Sequence, residues 1–153
     1  MHDLDESDKQ ILRMLQHNNR LTAEELAEAV NLSASAVQRR LKRLREEKVI
    51  EADVSIISPE ALGIGIMCIV DVIMEDGNSK ALEKFKTAMR KCPEVMQCYF
   101  VTGTYDFVLV VHTTDMRQYE EFSKKGLMDN PNVKHFYTHV VMDKVKADYG
   151  FPI

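Results

Sequence analysis

The stretch RLTAEELAEAVNLSASAVQRRLKRLREEKVI, residues 20–50, predicts two helices joined by a tight turn. Thr22 and Glu25 have the spacing of a capping box at the start of the first helix. Ser33 is a residue type that caps helices, and it stands just before the second run of helical periodicity. Asn31 lies between the two helices and tolerates the left-handed conformation that a tight turn needs. Two helices joined by about three residues form the helix-turn-helix pattern.

The second of these helices, about residues 33–46, is predicted to have an apolar face and a basic face. At roughly 100° per residue, Val37, Leu41 and Leu44 share one stripe that would face the core. The opposite side is predicted to carry Ser35, Ala36, Arg39, Lys42 and Arg43, with Gln38 and Arg40 beside the apolar stripe.

The basic side of this helix has the composition of a DNA-binding face. From Ser33 to Lys48 there are six basic and two acidic residues, a local charge of +4, whereas the whole chain has a formal charge of −4. Short side chains allow close approach to a major groove, while Gln and Arg donate to base edges and cations contact phosphates. A merely solvated charged face is the alternative interpretation. We predict contacts to double-stranded DNA from Ser33, Ser35, Ala36, Gln38, Arg39, Arg40, Lys42 and Arg43.

Signals on either side complete a predicted N-terminal domain, residues 1–60. Asp5 is placed to cap a preceding helix, which buries Ile11 and its periodic neighbours. Val49–Ile57 predicts a short hairpin, which would make the domain a winged helix-turn-helix. Ser58–Gly63 then has the composition of a linker.

The second half, residues 61–153, alternates strand and helix signals in the order βαββαβ. This is the order of a ferredoxin-like fold, so the chain as a whole is predicted to be α+β. The predicted elements are a strand at Ile64–Met74, a helix at Ser79–Lys91, strands at Val95–Val101 and Tyr105–His112, a helix capped by Asp115, and a last strand at Val133–Val145.

Both faces of the predicted sheet are apolar. In this fold both helices cover one side of an antiparallel sheet, so the other side should be polar if it meets water. Met67, Ile69 and Ile73 alternate with the core residues of the first strand, and Val108 and Val110 do the same in the third. We therefore predict that a second copy of the chain packs on the open face, giving at least a homodimer.

Composition narrows the class of protein. No apolar run approaches the roughly 20 residues that cross a bilayer, and the polar N-terminus is unlike a secretory signal, so we predict a cytoplasmic protein with no membrane partner. The three cysteines lack metal-ligand spacing and are expected to be reduced thiols. No metal and no cofactor is predicted, because the five histidines form no metal-binding motif.

Two alternatives remain open at this point. A ferredoxin-like fold can host an enzyme, but the chain has no nucleophile elbow, P-loop or dinucleotide fingerprint. We therefore predict that it is not an enzyme. The other alternative is a metabolite-binding assembly module whose helix-turn-helix contacts protein instead of DNA.

Four segments together resemble the Lrp/AsnC family of transcription regulators, also called feast/famine regulators. They are LDESDKQIL at residues 4–12, the helix-turn-helix segment at residues 20–50, VTGTYDFVLVV at residues 101–111 and THVVMDKVK at residues 138–146. The resemblance implies a winged helix-turn-helix followed by an amino-acid-sensing domain. It also implies dimers formed through the sheets, which often assemble into octamers, with effectors bound in clefts between sensing domains.

The resemblance further implies that the loop between the second and third strands contributes to the effector site. Amides beside a Gly could hold an α-carboxylate, and Asp106 could accept from an α-ammonium. Ordinary turn chemistry is the alternative for Asp106, as a hairpin glycine is for Gly103. The apolar neighbours favour leucine or methionine as effector. The predicted effector-binding residues are Phe100, Thr102, Gly103, Thr104, Tyr105, Asp106, Met116, Thr138, His139 and Val140.

Overall fold

A computed structural model of the chain describes residues 3–75 and 79–153. The chain divides into two compact units. The first unit ends at Ile56 and also contains Lys146–Ile153, and the second unit is Ile57–Val145. The last eight residues therefore belong to the same unit as the N-terminal segment, and the second unit is continuous in sequence.

The first unit contains three helices, α1 (Glu6–Leu15), α2 (Ala23–Val30) and α3 (Ala34–Glu46). The predicted caps are confirmed: Asp5, Thr22 and Ser33 each accept a hydrogen bond from a backbone N–H in the first turn of their helix. Asn31 has φ 54° and ψ 44°, the left-handed conformation that the tight turn requires. These local interactions define the helix-turn-helix formed by α2 and α3.

The core of the first unit lies between the three helices. Ile11 from α1, Leu26 from α2 and Val37 from α3 are fully buried and form one apolar cluster. Leu44 is also fully buried, and the partly buried Leu41 packs against the cluster. The predicted apolar stripe of α3 is therefore confirmed.

The hairpin predicted at residues 49–57 is wrong. The structure describes this segment and assigns no strand to it. Val54 and Ile56 are 67% and 66% exposed, so these two side chains pack on little of the described part of the chain. A two-stranded hairpin without such packing is marginally stable. The segment is held to α3 instead by Arg45, whose guanidinium donates two hydrogen bonds to Asp53 at 2.8 and 3.2 Å.

The second unit is a four-stranded antiparallel sheet with helices on one face, which confirms the predicted βαββαβ order and the α+β class. The strands lie in the order β2-β3-β1-β4. A short 3-10 turn at Glu60–Leu62 precedes the sheet, and a π-helical turn at Lys124–Met128 follows the last helix. The elements are β1 (Ile66–Met74), α4 (Ser79–Lys91), β2 (Val95–Phe100), β3 (Phe107–Thr113), α5 (Met116–Ser123) and β4 (Val133–Val140).

The last strand is shorter than predicted because its partner strand runs out. Val140 pairs with Cys68, and the N–H of Val141 donates to the carbonyl of Met67. Since β1 begins at Ile66, the chain beyond Val141 has no strand left to pair with. The apolar residues between there and Val145 therefore do not extend the sheet.

The two faces of the sheet differ in burial. The helix-covered face contains the core, in which Phe85, Phe107 and Leu109 are almost completely buried. The open face carries the alternating set of apolar side chains, which are only half-buried. Asp71 Oδ2 and His139 Nε2 are hydrogen-bonded on this face at 2.9 Å.

Candidate DNA-binding face and effector loop

The outward face of α3 carries the short and basic side chains that the sequence placed there. Ser35, Gln38, Arg39 and Lys42 are exposed, and Ala36 is half-buried. The hydroxyl of Ser33 accepts from the N–H of Ala36 at 3.2 Å and lies 3.1 Å from the hydroxyl of Ser35, so it both caps the helix and stands at its exposed end.

Two arginines of α3 that were predicted to contact DNA also form ion pairs within the domain. Arg40 Nη1 lies 2.7 Å from Asp5 Oδ2 and 2.8 Å from Asp8 Oδ1. Arg43 Nη2 lies 2.5 Å from Asp8 Oδ2. Asp8 is only 1% exposed. Arg43, which was expected on the solvent side of the helix, therefore reaches a buried carboxylate.

The carboxylate of Asp8 is held in its charged form. Burial by itself raises the pKa of Asp8, but hydrogen bonds from Arg43, Arg40 and the Asp5 N–H outweigh burial and lower the pKa from its ordinary value. The same contacts raise the pKa of Arg40 and of Arg43. Four charged side chains therefore form one cluster between α1 and α3, namely Asp5, Asp8, Arg40 and Arg43.

Sequence reasoning missed the role of Asp8, although a signal was present. Leu4, Asp8, Ile11 and Leu15 follow one another at spacings of four, three and four, which is the spacing of a helix stripe that faces the core. A charged residue in that register must be paired when it is buried. Two arginines of one helix are the partners that such a carboxylate would need.

The loop between β2 and β3 is exposed at its tip and anchored at its end. Thr102, Gly103 and Thr104 are exposed, and Gly103 has φ 118°, which favours glycine. Asp106 is half-buried, and its Oδ2 accepts from the backbone N–H of Met74 at 2.7 Å. This bond is a long-range contact, different from the local turn chemistry that was the alternative for Asp106, and it joins the loop to the end of β1.

Most of the predicted effector residues fall into two groups, one around the β2–β3 loop and one around Val140, and Thr138 lies between these levels, opposite Val70. Phe100 lies on edge strand β2 opposite Phe107, at the level of Val72, together with the loop. Val140 lies on the other edge strand, β4, opposite Cys68. From the strand spacing, these two positions are roughly 13 Å apart along the strands and roughly 14 Å apart across them. Phe100 and Val140 therefore do not meet within one chain.

The second group contains residues on both faces of the sheet. Thr138 lies on the helix-covered face, where its hydroxyl contacts that of Tyr119. Val140 has the same orientation and is 44% exposed, and Met116 begins α5 and is 49% exposed. His139 points to the open face, where it pairs with Asp71. His139 therefore does not line the same surface as Thr138 and Val140.

The described residues contain no cluster of three or more His, Cys, Asp or Glu side chains that could hold a metal ion. His2 lies outside the described residues. Within residues 3–75 and 79–153, no helix has both the length and the apolar character needed to cross a membrane.

Comparison with known proteins accounts for both units. A family profile described as the Lrp/AsnC ligand binding domain matches residues 67–151, and one described as winged helix-turn-helix DNA-binding matches residues 4–51. The chain belongs to the Lrp/AsnC family. It is a DNA-binding transcriptional regulator with a ligand-binding domain, which confirms the family and fold expected from the sequence.

Relatives of this Lrp/AsnC regulator match along almost the whole chain. It is 50% identical to an uncharacterized HTH-type transcriptional regulator of Sinorhizobium fredii, over 99% of this chain and 89% of that protein. It is 31% identical to the leucine-responsive regulatory protein of Escherichia coli, over 94% and 88%. The structure superposes with a TM-score of 0.92 on a transcriptional regulator from Neisseria meningitidis in complex with L-Met, at 33% identity, covering 98% and 97%.

Proposed function

We propose that this Lrp/AsnC regulator acts in the cytoplasm, reads DNA with α3, and responds to an amino acid bound between the ligand-binding domains of two chains. Leucine or methionine is the favoured effector. The observation that carries the proposal is the separation of Phe100 and Val140 at opposite ends and opposite edges of one sheet. A pocket that uses both Phe100 and Val140 needs two chains.

The DNA contacts are proposed from the exposure and charge of α3. Arg39 and Lys42 are exposed cations on the side of the helix away from the core, and Ser35 and Gln38 are short or polar side chains beside them. Ser33 and Ala36 complete the N-terminal end of the same surface. This combination suits a helix in a major groove, with Arg39 and Gln38 donating to bases and Lys42 contacting phosphate.

The effector site is proposed from the exposed β2–β3 loop and two exposed apolar surfaces. The tip of the loop presents backbone amides around Gly103, which suit a carboxylate. Phe100 is 55% exposed beside the loop, and Met116 and Val140 are about half exposed at the far end. Apolar side chains of this kind match an aliphatic or thioether ligand. The Neisseria relative was solved with L-Met, which supports methionine in particular.

The proposed dimer forms through the open face of the sheet. Apolar side chains there, among them Ile69, Ile73 and Val110, are only half-buried by the described residues. A second copy would bury them, and larger assemblies up to an octamer would create the clefts that join the loop of one chain to the far end of another. An effector alters DNA binding only if it binds one arrangement of the chains better than another.

Thermal unfolding of the purified protein with each of the twenty amino acids tests the effector proposal. A ligand that binds only the folded protein stabilises it by about 2.7 kcal/mol at a hundred times its dissociation constant. We expect leucine or methionine to raise the midpoint and glycine to leave it unchanged. If no amino acid raises the midpoint, the sensing role is wrong, whereas DNA binding by the first unit stands apart from that result.

A further inference from the structure

Asp8 connects the first helix to the recognition helix through two arginines. Its Oδ1 lies 2.8 Å from Arg40 Nη1 and its Oδ2 lies 2.5 Å from Arg43 Nη2. Asp8 and Asp5 are also fixed with respect to each other, because each carboxylate accepts the backbone N–H of the other residue. The carboxylates that receive the two arginines are therefore held in place by the cap of α1.

We propose that Asp8 is a positioning residue for DNA recognition, which holds Arg40 and Arg43 against α1 and away from the DNA phosphates. The inference rests on the proposed contact between α3 and DNA. It divides the basic residues of α3 into two functional pairs. Arg39 and Lys42 contact DNA, whereas Arg40 and Arg43 set the rotation of the helix.

The helix geometry separates the two pairs. At about 100° per residue, Arg39 and Lys42 lie about 60° apart, and so do Arg40 and Arg43, but the centres of the two pairs are about 100° apart. Arg39 and Lys42 therefore point directly away from the buried Val37 and Leu44. The other pair lies on one flank, which is the flank that α1 covers through Asp8.

The basic side chains of the two pairs also differ in their ion-pair partners. Two carboxylates accompany Arg40 and Arg43, and one of these carboxylates is almost completely buried. Lys42 has only a loose contact with Glu46 at 3.7 Å, in which both side chains are largely exposed. Such an exposed ion pair contributes little to stability and is easily replaced by a contact with a phosphate. A buried carboxylate that loses its partner, in contrast, destabilises the fold strongly. A phosphate therefore recruits Lys42 more readily than Arg43.

The salt dependence of DNA affinity tests this division. Each phosphate contact contributes about −0.9 to the slope of log affinity against log salt. The full-length protein and its variants would be titrated with an operator selected from a random library and with random-sequence duplex. Arg40→Gln and Arg43→Gln are compared with Lys42→Gln as the matched control, since each removes one charge from the same helix.

We expect Lys42→Gln to make the slope shallower by about 0.9, and Arg40→Gln and Arg43→Gln to leave the slope unchanged while reducing the preference for the operator. Asp8→Asn should make the slope steeper by about 0.9, because it releases the guanidinium of Arg43, whereas Arg40 keeps Asp5 as a partner. Asp8→Glu keeps the charge and should restore the wild-type slope. A purely structural role for Asp8 would lower stability without changing the slope.

Three results decide against the proposal. If Arg43→Gln or Arg40→Gln makes the slope shallower by as much as Lys42→Gln, that arginine contacts phosphate. If Asp8→Asn folds, as judged by circular dichroism, and leaves both slope and operator preference unchanged, Asp8 does not position the helix. If Lys42→Gln and Arg39→Gln also leave DNA binding unchanged, α3 is not the DNA-binding face and the proposed function fails with this inference. If Asp8→Asn does not fold, the salt slopes of Arg40→Gln and Arg43→Gln still show whether these arginines contact phosphate.

Discussion

The carboxylate of Asp106 accepts a hydrogen bond from the backbone N–H of Met74, with 2.7 Å between Oδ2 and N. The backbone N–H of Asp106 donates in turn to the carbonyl of Val72 at 2.9 Å. The residue that is proposed to receive the ammonium group of an effector therefore also joins β1 to the loop. A variant of Asp106 that cannot accept this hydrogen bond changes the sheet as well as the ligand site.

Replacement of Asp106 by Asn is expected to separate these two roles. The amide oxygen of Asn can still accept from Met74, but the negative charge that would attract an ammonium group is lost. We expect Asp106→Asn to abolish the stabilisation by leucine or methionine at nearly wild-type stability. Asp106→Ala should in addition lower the free energy of unfolding by about 1–2 kcal/mol. Thermal unfolding with and without ligand measures both. Full ligand stabilisation in Asp106→Asn would exclude the ammonium contact.

Acid is expected to destabilise the first unit through Asp8. Its folded pKa is lowered from the ordinary value of 3.8, so its contribution to stability is fully present above that value and is lost as the pH falls through the folded pKa. Urea unfolding from pH 7 downwards should show a smaller loss of stability in Asp8→Asn than in the wild type. Other carboxylates titrate in both proteins, so the difference isolates Asp8. If the stability of the two proteins falls equally with pH, Asp8 does not have the lowered pKa.

Two phenylalanines that contact the same ring are expected to differ in their contribution to stability. Phe85 and Phe100 lie 4.6 and 5.1 Å from the ring centroid of Phe107, but Phe85 is 1% exposed and Phe100 is 55% exposed. Phe85→Ala should lower the free energy of unfolding of the second unit by about 3–5 kcal/mol, because it leaves a cavity in the core. Phe100→Ala, the matched control, should cost much less. Urea unfolding measures both, and equal losses would contradict the burial of Phe85.

The tail at Lys146–Ile153 is expected to loosen when Gln16 is replaced. The Gln16 side chain donates to the carbonyl of Phe151 at 2.8 Å and accepts from its N–H at 2.9 Å, and Arg13 donates to the carbonyl of Ile153. Gln16→Ala should speed hydrogen exchange at the Phe151 amide about fivefold, which corresponds to a hydrogen bond of about 1 kcal/mol. Lys9→Ala, at the other end of α1, is the control. The same rate in both variants would show that the tail does not depend on Gln16.

The thiol of Cys92 is expected to react slowly in the folded protein. Burial, followed by the hydrogen bond and charge of Glu94, raises the pKa of Cys92 to about 11. At pH 8 only about one thiol in a thousand is then ionised. Alkylation by iodoacetamide, followed by mass spectrometry, should be much slower than in urea, and Glu94→Gln should speed it in the folded protein. Equal rates in the folded and unfolded protein would contradict the raised pKa.

Predictions made from neighbouring residues succeeded. The capping box of Thr22 and Glu25 joins residues three apart, and the left-handed Asn31 depends only on its own turn. The helix at Ser79–Lys91 was predicted with its observed bounds. Interactions over three or four residues form in any chain that becomes helical there, so the sequence contains all the information needed.

Predictions that depended on packing partners were less accurate. The segment from Val49 to Ile57 has the alternation of a hairpin, but a strand also needs a surface to cover, and Val54 and Ile56 are mostly exposed. The last strand was predicted to reach Val145 and stops at Val140. The end of this strand depends on where its partner β1 begins. The residues near Val140 contain no information about that position.

The sequence by itself determined the family, the order of the elements and the apolar face of each helix, because these follow from local spacing and from motifs along the chain. Only the tertiary structure determined which basic side chains of α3 pair with carboxylates of the same domain. Asp8 and Arg43 are 35 residues apart, and only the packing of α1 against α3 brings their side chains to 2.5 Å. Strand register likewise placed Phe100 and Val140 at opposite corners of the sheet. Both results depend on contacts between distant residues, which only the folded chain creates.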